Sequence, residues 1–561
     1  MKNKTPSRGW VSRRAFLGGA GALAPAWAGE GQLGPLPGQQ RRAQALQVRM
    51  DAANFQRDLP LPEQLANGDE LLYTSRIGNF SKGLPHNSLG EVDPNAYYAF
   101  LAALSSGRPA DFENLPMGCP DPARRLKLVN PQAGLSYEME GADAQHLAQP
   151  PAPRFSSAEA GGEMVELYWQ ALARDVPFTE YPTTAIAQAA AADLSRLSDF
   201  RGPRIESRVA PSTLFRGFTA GDVVGPYISQ FLLRPIPFGA QWIDQRIRTA
   251  VPGVDHATTY QDWLSLQNGF APLVSDRYDP LRRYLRNGRD LAAWVHRDVL
   301  FQAYFNACLI LLTPPDATDE ASGGGIGAPL SSTNPYNNSS TQAGFGTLGA
   351  PYVATVVAEV ATRALKAVWY QKWFVHRRLR PEAYAGRAHN LLADRGVDYP
   401  VHRDLLNSAA TGQVFSRYNT YLLPQAYAEG CPLHPAYGAG HATVAGASVT
   451  VLKALFDNSF VVPNPVVPTP DGLSLQPYTG PDAGRLTVGG ELDKLASNVA
   501  LGRNFAGIHW RSDYARSLRL GEEVAICFLQ DQLRTFNEDF PGFTFAGFDG
   551  RRVAIGAEPR L

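Results

Sequence analysis

Few cysteines, no long apolar run and no charge excess mark this chain, and each shortage excludes something. The four cysteines among 561 residues, Cys119, Cys308, Cys431 and Cys527, stand far apart. No CxxC pair exists, which argues against a zinc or thioredoxin-like site. Cys308 and Cys527 lie in apolar helical runs and read as buried thiols; in an exported chain a disulfide stays open, and spacing pairs none of the four. The apolar run Gly18 to Leu23 is too short to span a bilayer, and no membrane-spanning helix is expected. The 52 basic and 52 acidic residues cancel, but residues 1–28 hold Lys2, Lys4, Arg8, Arg13 and Arg14 and no acid. Without those five positive charges the formal net moves from 0 to −5. A mildly acidic body is a poor partner for nucleic acid or an anionic membrane, and any anion site must be local. Strand alternation is scarce and no internal repeat is visible.

What is present begins with an address. Ser12-Arg13-Arg14-Ala15-Phe16-Leu17 precedes a short apolar run, Gly18 to Leu23, and then Ala26-Trp27-Ala28. This order reads as a twin-arginine signal over residues 1–28, and the protein is expected in the periplasm or outside the cell. A basic amphipathic arm is the other reading. Residues 29–160 are rich in Pro, Gly and polar residues, with short helical pieces such as Pro94 to Leu104, and read as a wrapping segment. Residues 161–561 are expected to form a helical catalytic unit with it. Helical apolar spacing marks 163–174, 183–197, 220–233, 260–267, 290–312, 352–378, 405–416, 441–456, 491–503 and 512–536. Long loops are expected over 313–348 and 457–490. The pattern argues for an all-α bundle architecture.

Three stretches carry chemistry. The first runs from Trp369 through Lys372 to Arg380-Pro381. Pro381 disfavours helical geometry at Arg380, so the helix should stop there. Lys372 and Arg380 would lie about 80° apart around it and could converge on one ligand; a solvated basic helix end is the alternative. The second is His434-Pro435-Ala436-Tyr437-Gly438-Ala439-Gly440-His441. A Gly-rich turn runs into an apolar helix, whose free N–H groups and dipole favour an anion. It could equally be a helix entry with an incidental histidine. The third is Arg503-Asn504-Phe505-Ala506-Gly507-Ile508-His509, with Asp513 four residues further on. Gly507 offers a break that could bring Arg503 and His509 together. Asp513 could fix one nitrogen of His509 and free the other, or the two could be a structural pair. Together the stretches supply two arginines, a lysine, a helix N-terminus and two histidines, a set suited to a highly charged oxyanion.

In these motifs the chain resembles the vanadium-dependent haloperoxidases, the algal bromoperoxidase-like bacterial branch in particular, relatives of the type 2 phosphatidic acid phosphatase superfamily. The first motif is Lys372 with seven residues before Arg380-Pro381, the algal spacing. The third, Arg503, His509 and Asp513, matches in full. The second reads Gly438-Ala439-Gly440-His441, with Ala439 where the family has serine. The likeness extends upstream through 163–178, Leu214-Phe215-Arg216-Gly217 and 225–231, and covers most of 45–540. It implies two four-helix bundles and a homodimer or higher homo-oligomer.

The resemblance also implies the roles. His509 would be the axial vanadium ligand, oriented by Asp513. Lys372, Arg380, Arg503 and the Ala439–Gly440 turn would hold the vanadate oxygens. His441 would act as acid and base, and Lys372 would polarise bound peroxide. Hydrogen peroxide would oxidise bromide or iodide to a hypohalous acid or equivalent, with no need of haem or flavin. An organic acceptor is possible. His434, seven residues before His441, and Trp369 match halide-pocket positions, although a loop histidine and a core tryptophan are the plain alternatives. Losing the serine at 439 should cost about 1.5–3 kcal/mol of cofactor affinity. A rival in the same superfamily is an acid phosphatase with His509 as nucleophile. A third reading is an exported oxyanion-binding scaffold.

Overall fold

Apolar residues at helical spacing, closed by short polar caps, set the architecture. The computed structural model describes residues 34–315 and 324–556. The leader expected over 1–28 and part of the loop over 313–348 lie outside these. The longer helices are α1 (Gly38–Asp58), α2 (Pro94–Ser106), α3 (Ala158–Leu172), α4 (Ala185–Ser195), α5 (Tyr260–Gln267), α6 (Gly288–Arg297), α7 (Gln302–Leu312), α8 (Ala350–Tyr370), α9 (Pro381–Leu392), α10 (Ala409–Tyr418), α11 (Gly440–Leu455), α12 (Val488–Phe505) and α13 (Arg511–Leu533). Among the described residues, strands form only four two-stranded antiparallel ribbons. The chain is an all-α protein.

Caps explain many of the boundaries. Asp93, Ser157, Asn287 and Thr487 each accept a first-turn N–H with their side chains, contacts worth about 1 kcal/mol each. Helices α8, α11, α12 and α13 pack together, with α6 and α7 alongside. All of α11 except His441 is buried. A Cβ on Gly446 would meet the Leu518 carbonyl, and one on Gly521 the Thr443 carbonyl, at 2.1 and 2.0 Å. Two glycines thus let the α11 and α13 backbones touch. The stretch before α3 packs beneath the site: Phe80 and Phe100 set their ring edges against Trp373 at 5.6 and 6.0 Å between centroids.

Several expected helices are divided. The 220–233 stretch forms only two single 3-10 turns, Gly221–Val223 and Gln230–Leu232, because Gly225 has φ 69° and Pro226 follows. The 290–312 stretch breaks at Asp298, whose backbone is extended. The 405–416 stretch breaks where Ser408 turns to cap α10. The polar helix α1, of which only Gln56 is buried, carries no apolar stripe to announce it.

His86 and His376 are buried in this framework. Burial lowers both to about 3, helped by Arg387 beside His86 and by Arg377, Arg516 and Arg378 around His376. Neither His376 nitrogen has a hydrogen-bond partner among the described residues. Because the folded values lie below the ordinary 6.5, the unfolded chain takes up protons first on acidification. Their contribution is complete above about 6.5 and falls as pH drops toward 3. Between pH 7 and 5 each histidine should cost about 2 kcal/mol of stability. Urea denaturation should show a smaller loss over that interval in His376→Leu than in the parent chain.

Candidate active site

Lys372 sits in a wide π turn, 371–376, that ends α8, a distortion common at functional sites. Arg377 then takes φ 40° and the chain reverses. The helix therefore stops four residues before Arg380, and Pro381 opens α9 at its first position instead of closing α8. Lys372 and Arg380 still converge, but through a shared target. Lys372 Nζ donates to the carbonyls of Pro435 at 2.9 Å and Ala436 at 3.3 Å. Arg380 Nε donates to the His434 carbonyl at 2.8 Å.

Arg380 is the hub. Its guanidinium also donates to His434 Nδ1 at 2.8 Å, to the Ile508 carbonyl at 2.8 Å and to His509 Nε2 at 2.9 Å. His509 lies in the break between α12 and α13, where Gly507 has φ 84°. It donates from Nδ1 to Asp513 Oδ2 at 2.8 Å. These partners assign a neutral ring with its lone pair on Nε2. Asp513 also accepts from the Trp510 N–H at 3.1 Å and from Arg378 at 2.9 Å. Arg503 donates to the Val295 carbonyl at 2.7 Å, and its buried Nε has no hydrogen-bond partner among the described residues. His441, near the start of α11, bonds Asp298 through Nε2 at 3.0 Å.

Trp369 closes one side. Its ring stands 5.1 Å from that of His434 and 5.5 Å from Lys372 Nζ. A Cβ on Gly440 would come within 3.1 Å of the Trp369 ring, so the helix start keeps its approach open only with glycine there. Ala439 makes no side-chain cap; its N–H donates to Ser517 Oγ at 2.8 Å.

Of the residues singled out in the sequence, Lys372, Trp369, His434, Arg380, His509 and Asp513 form one chain of contacts, whereas Arg503 reaches the Val295 carbonyl and His441 turns to Asp298. Sequence reasoning missed the support beneath these residues. Arg378 is buried between Asp513 and Glu163, and Arg511 pairs with Glu166. The available signal was Glu163 and Glu166, two acids three apart in the apolar run of α3. Asp298 was missed as well, hidden inside an apparently continuous helix.

Charge decides what this arrangement can hold. Lys372, Arg380 and Arg503 form no ion pair with an acid among the described residues, although Lys372 and Arg380 are essentially fully buried. Burial lowers Lys372 well below its usual range, with Arg380 and Arg503 adding to the effect. Burial also brings Arg380 down to about 10. Burial and these cations depress His434 and His509 strongly. Uncompensated buried cations are costly. An anion among them would remove that cost, and the orphaned Arg503 Nε–H is a donor waiting for an oxygen. The donor set fits vanadate: three cations, a helix start and one imidazole lone pair.

Comparison with known proteins agrees. The chain is 37% identical to a vanadium-dependent bromoperoxidase of Corallina officinalis over 612 aligned positions, covering 93% of this chain and 100% of that one. It belongs to the vanadium-dependent bromoperoxidase family. A vanadium-dependent bromoperoxidase of Ascophyllum nodosum is 35% identical, covering 93% of each chain. The family description VCPO second helical-bundle domain matches residues 353–538, the span holding all three motifs. The solved homohexameric structure of the second vanadate-dependent bromoperoxidase from Ascophyllum nodosum superposes with a TM-score of 0.86 at 29% identity, covering 99% of this chain and 94% of that one.

Proposed function

We propose that this bromoperoxidase-family chain binds vanadate through Lys372, Arg380, Arg503, Gly440 and His509, and uses hydrogen peroxide to oxidise bromide or iodide. The observation that carries the reading is the buried trio of cations with no acid paired to them among the described residues, set around the neutral imidazole of His509. Vanadate held there supplies a Lewis acid that activates peroxide toward halide. The chain's own part is electrostatic and positional. Lys372, Arg380 and Arg503 neutralise oxyanion charge where little water screens it. Asp513 keeps the proton on His509 Nδ1 and so keeps Nε2 available. His441, partly exposed and steadied by Asp298, can give and take protons at its ring. His434 and Trp369 form the wall on which a halide would be received.

The test is paired. Vanadate-loaded protein should brominate a phenol dye in a peroxide-dependent way, and vanadate-free protein should be inert toward p-nitrophenyl phosphate. Phosphatase turnover without bromination at any vanadate level would favour the hydrolase. Equilibrium vanadate binding with neither activity would favour a scaffold.

Ala439 permits a gain-of-affinity experiment. Serine there would sit at the N-cap of α11, a position that favours serine over alanine by about 1 kcal/mol. It would also face the oxyanion with a hydroxyl. Ala439→Ser should therefore tighten vanadate binding, by about 10- to 100-fold for one charge-assisted bond. Unchanged affinity in equilibrium dialysis, with a raised melting temperature, would mean that the hydroxyl serves only the cap.

The chain is also proposed to act as a homo-oligomer outside the cytoplasm. The homohexameric neighbour and the largely exposed helix α1 support the first, and Ser12-Arg13-Arg14 supports the second. Light scattering and cell fractionation test them.

A further inference from the structure

The turn 438–440 has little stiffness of its own. Gly438 and Gly440 add no side chain to fix the backbone, and Ala439 makes no side-chain cap. Its shape is imposed from below by buried polar groups. Ser517, one turn past Asp513 on α13, accepts the Ala439 N–H on its Oγ at 2.8 Å. Gln149 Nε2 donates to the same oxygen at 3.0 Å. The Gln149 N–H donates in turn to Gln371 Oε1 at 3.2 Å, and Gln371 opens the π turn ahead of Lys372. Gln149, Gln371 and Ser517 are at most 1% exposed. One hydrogen-bonded relay therefore joins all three stretches that carry the site: Gln371 beside Lys372, Ala439 beside Gly440, and Ser517 beyond Asp513.

The relay is tightly seated. A Cβ on Gly438 would come within 2.3 Å of Gln149 Oε1 and 2.6 Å of Ser517 Oγ. Gln371 Nε2 donates to the Leu147 carbonyl at 2.9 Å, and the Tyr437 hydroxyl to the Pro150 carbonyl at 2.7 Å, so the segment carrying Gln149 is pinned on both sides. Gln149 Oε1 is buried with no hydrogen-bond partner among the described residues. Turning the amide over would pair it with the Ser517 hydroxyl and leave the Ala439 N–H bonded as before. The other end of residue 439 is held as well: its carbonyl accepts the Thr443 N–H at 3.0 Å and the Thr443 hydroxyl at 2.9 Å. We propose that Ser517, seconded by Gln149, is a positioning residue that fixes Ala439 so that the Gly440 N–H is aimed at the oxyanion. The role rests on the vanadate site proposed above. A donor aimed in advance stabilises charge without reorganising. Without the hydroxyl, the Ala439 N–H and the Gln149 amide would be buried and unpaired. The glycine-flanked turn could then rotate to relieve them, carrying the Gly440 N–H off its target.

Two measurements on the full chain test this, both well below the melting temperature. In vanadate-free protein, amide hydrogen exchange over 437–442 should be about tenfold faster in Ser517→Ala than in the parent chain, with exchange over α5 unchanged. In equilibrium dialysis, Ser517→Ala should bind vanadate about tenfold more weakly or worse. Gln149→Met, which keeps the Ser517 bond to Ala439 but removes its second partner, should move both readouts in the same direction by less. Unchanged exchange at the turn would break the relay. Faster exchange with unchanged vanadate affinity would remove the positioning role, as would a lowered melting temperature with neither readout moved. A parent chain that binds no vanadate overturns the proposed function and this role together. That result is distinct from failure of the role alone, in which the parent chain binds and Ser517→Ala binds equally well.

Discussion

Replacing His509 by alanine is expected to give a folded chain that retains no vanadium after dialysis and shows no peroxide-dependent bromination. The side chain is buried and makes two contacts that matter. Asp513 holds Nδ1, and Arg380 points a guanidinium N–H at Nε2. The fold does not depend on it, because Asp513 keeps Arg378 and the Trp510 N–H as partners. What the variant lacks is the uncharged donor atom that Asp513 orients toward the cations. Lys372, Arg380 and Arg503 would still attract an oxyanion, but loosely, as they would attract phosphate. Elemental analysis for vanadium measures the result. Partial recovery of vanadium with imidazole in the medium would assign the loss to the missing ring. Full vanadium content in His509→Ala would remove the proposed ligand role of His509, and with it the proposed chemistry.

Asp513 should be nearly as sensitive. Asp513→Asn keeps the shape but offers one acceptor oxygen to three donors: Arg378, the Trp510 N–H and His509 Nδ1–H. The amide would also remove the charge that balances Arg378. Second-layer partners of this kind typically change metal affinity 10–100-fold.

The chemistry of this site was more legible in the sequence than its local geometry. Lys372, Arg380, His441, Arg503, His509 and Asp513 could be picked out because charged and imidazole groups stood in apolar or Gly-rich surroundings. How they meet was not legible. Continuous helical periodicity ran through 352–378, but the π turn at 371–376 and the reversal at Arg377 depend on carbonyls of Pro435 and Ala436, more than 60 residues away. Asp298 was invisible for a similar reason: apolar spacing continues on both sides of it, and only its bond to His441 shows why the helix parts there. Helix α1 was missed because its stabilising contacts are few and its residues polar. Caps, by contrast, were local, so α5 fell on its expected residues, 260–267.

His441→Ala is the complementary experiment, and it separates holding the oxyanion from using it. His441 is the one exposed-edge residue of an otherwise buried α11, and its ring is steadied by Asp298. Removing it leaves all three cations, Gly440 and the His509–Asp513 pair in place, so vanadium content should remain close to that of the parent chain. Proton transfer at the reacting oxygens would lose its positioned acid and base, and bromination per bound vanadium should fall about 10²- to 10⁴-fold. Asp298→Asn should fall by less, since the imidazole remains and only its tether weakens. Rate and metal content must be measured on the same preparation. A loss of vanadium parallel to the loss of rate would make His441 a holding residue, and an unchanged rate would move acid–base catalysis elsewhere in the site. Only a rate that collapses while vanadium stays bound assigns the proton to His441.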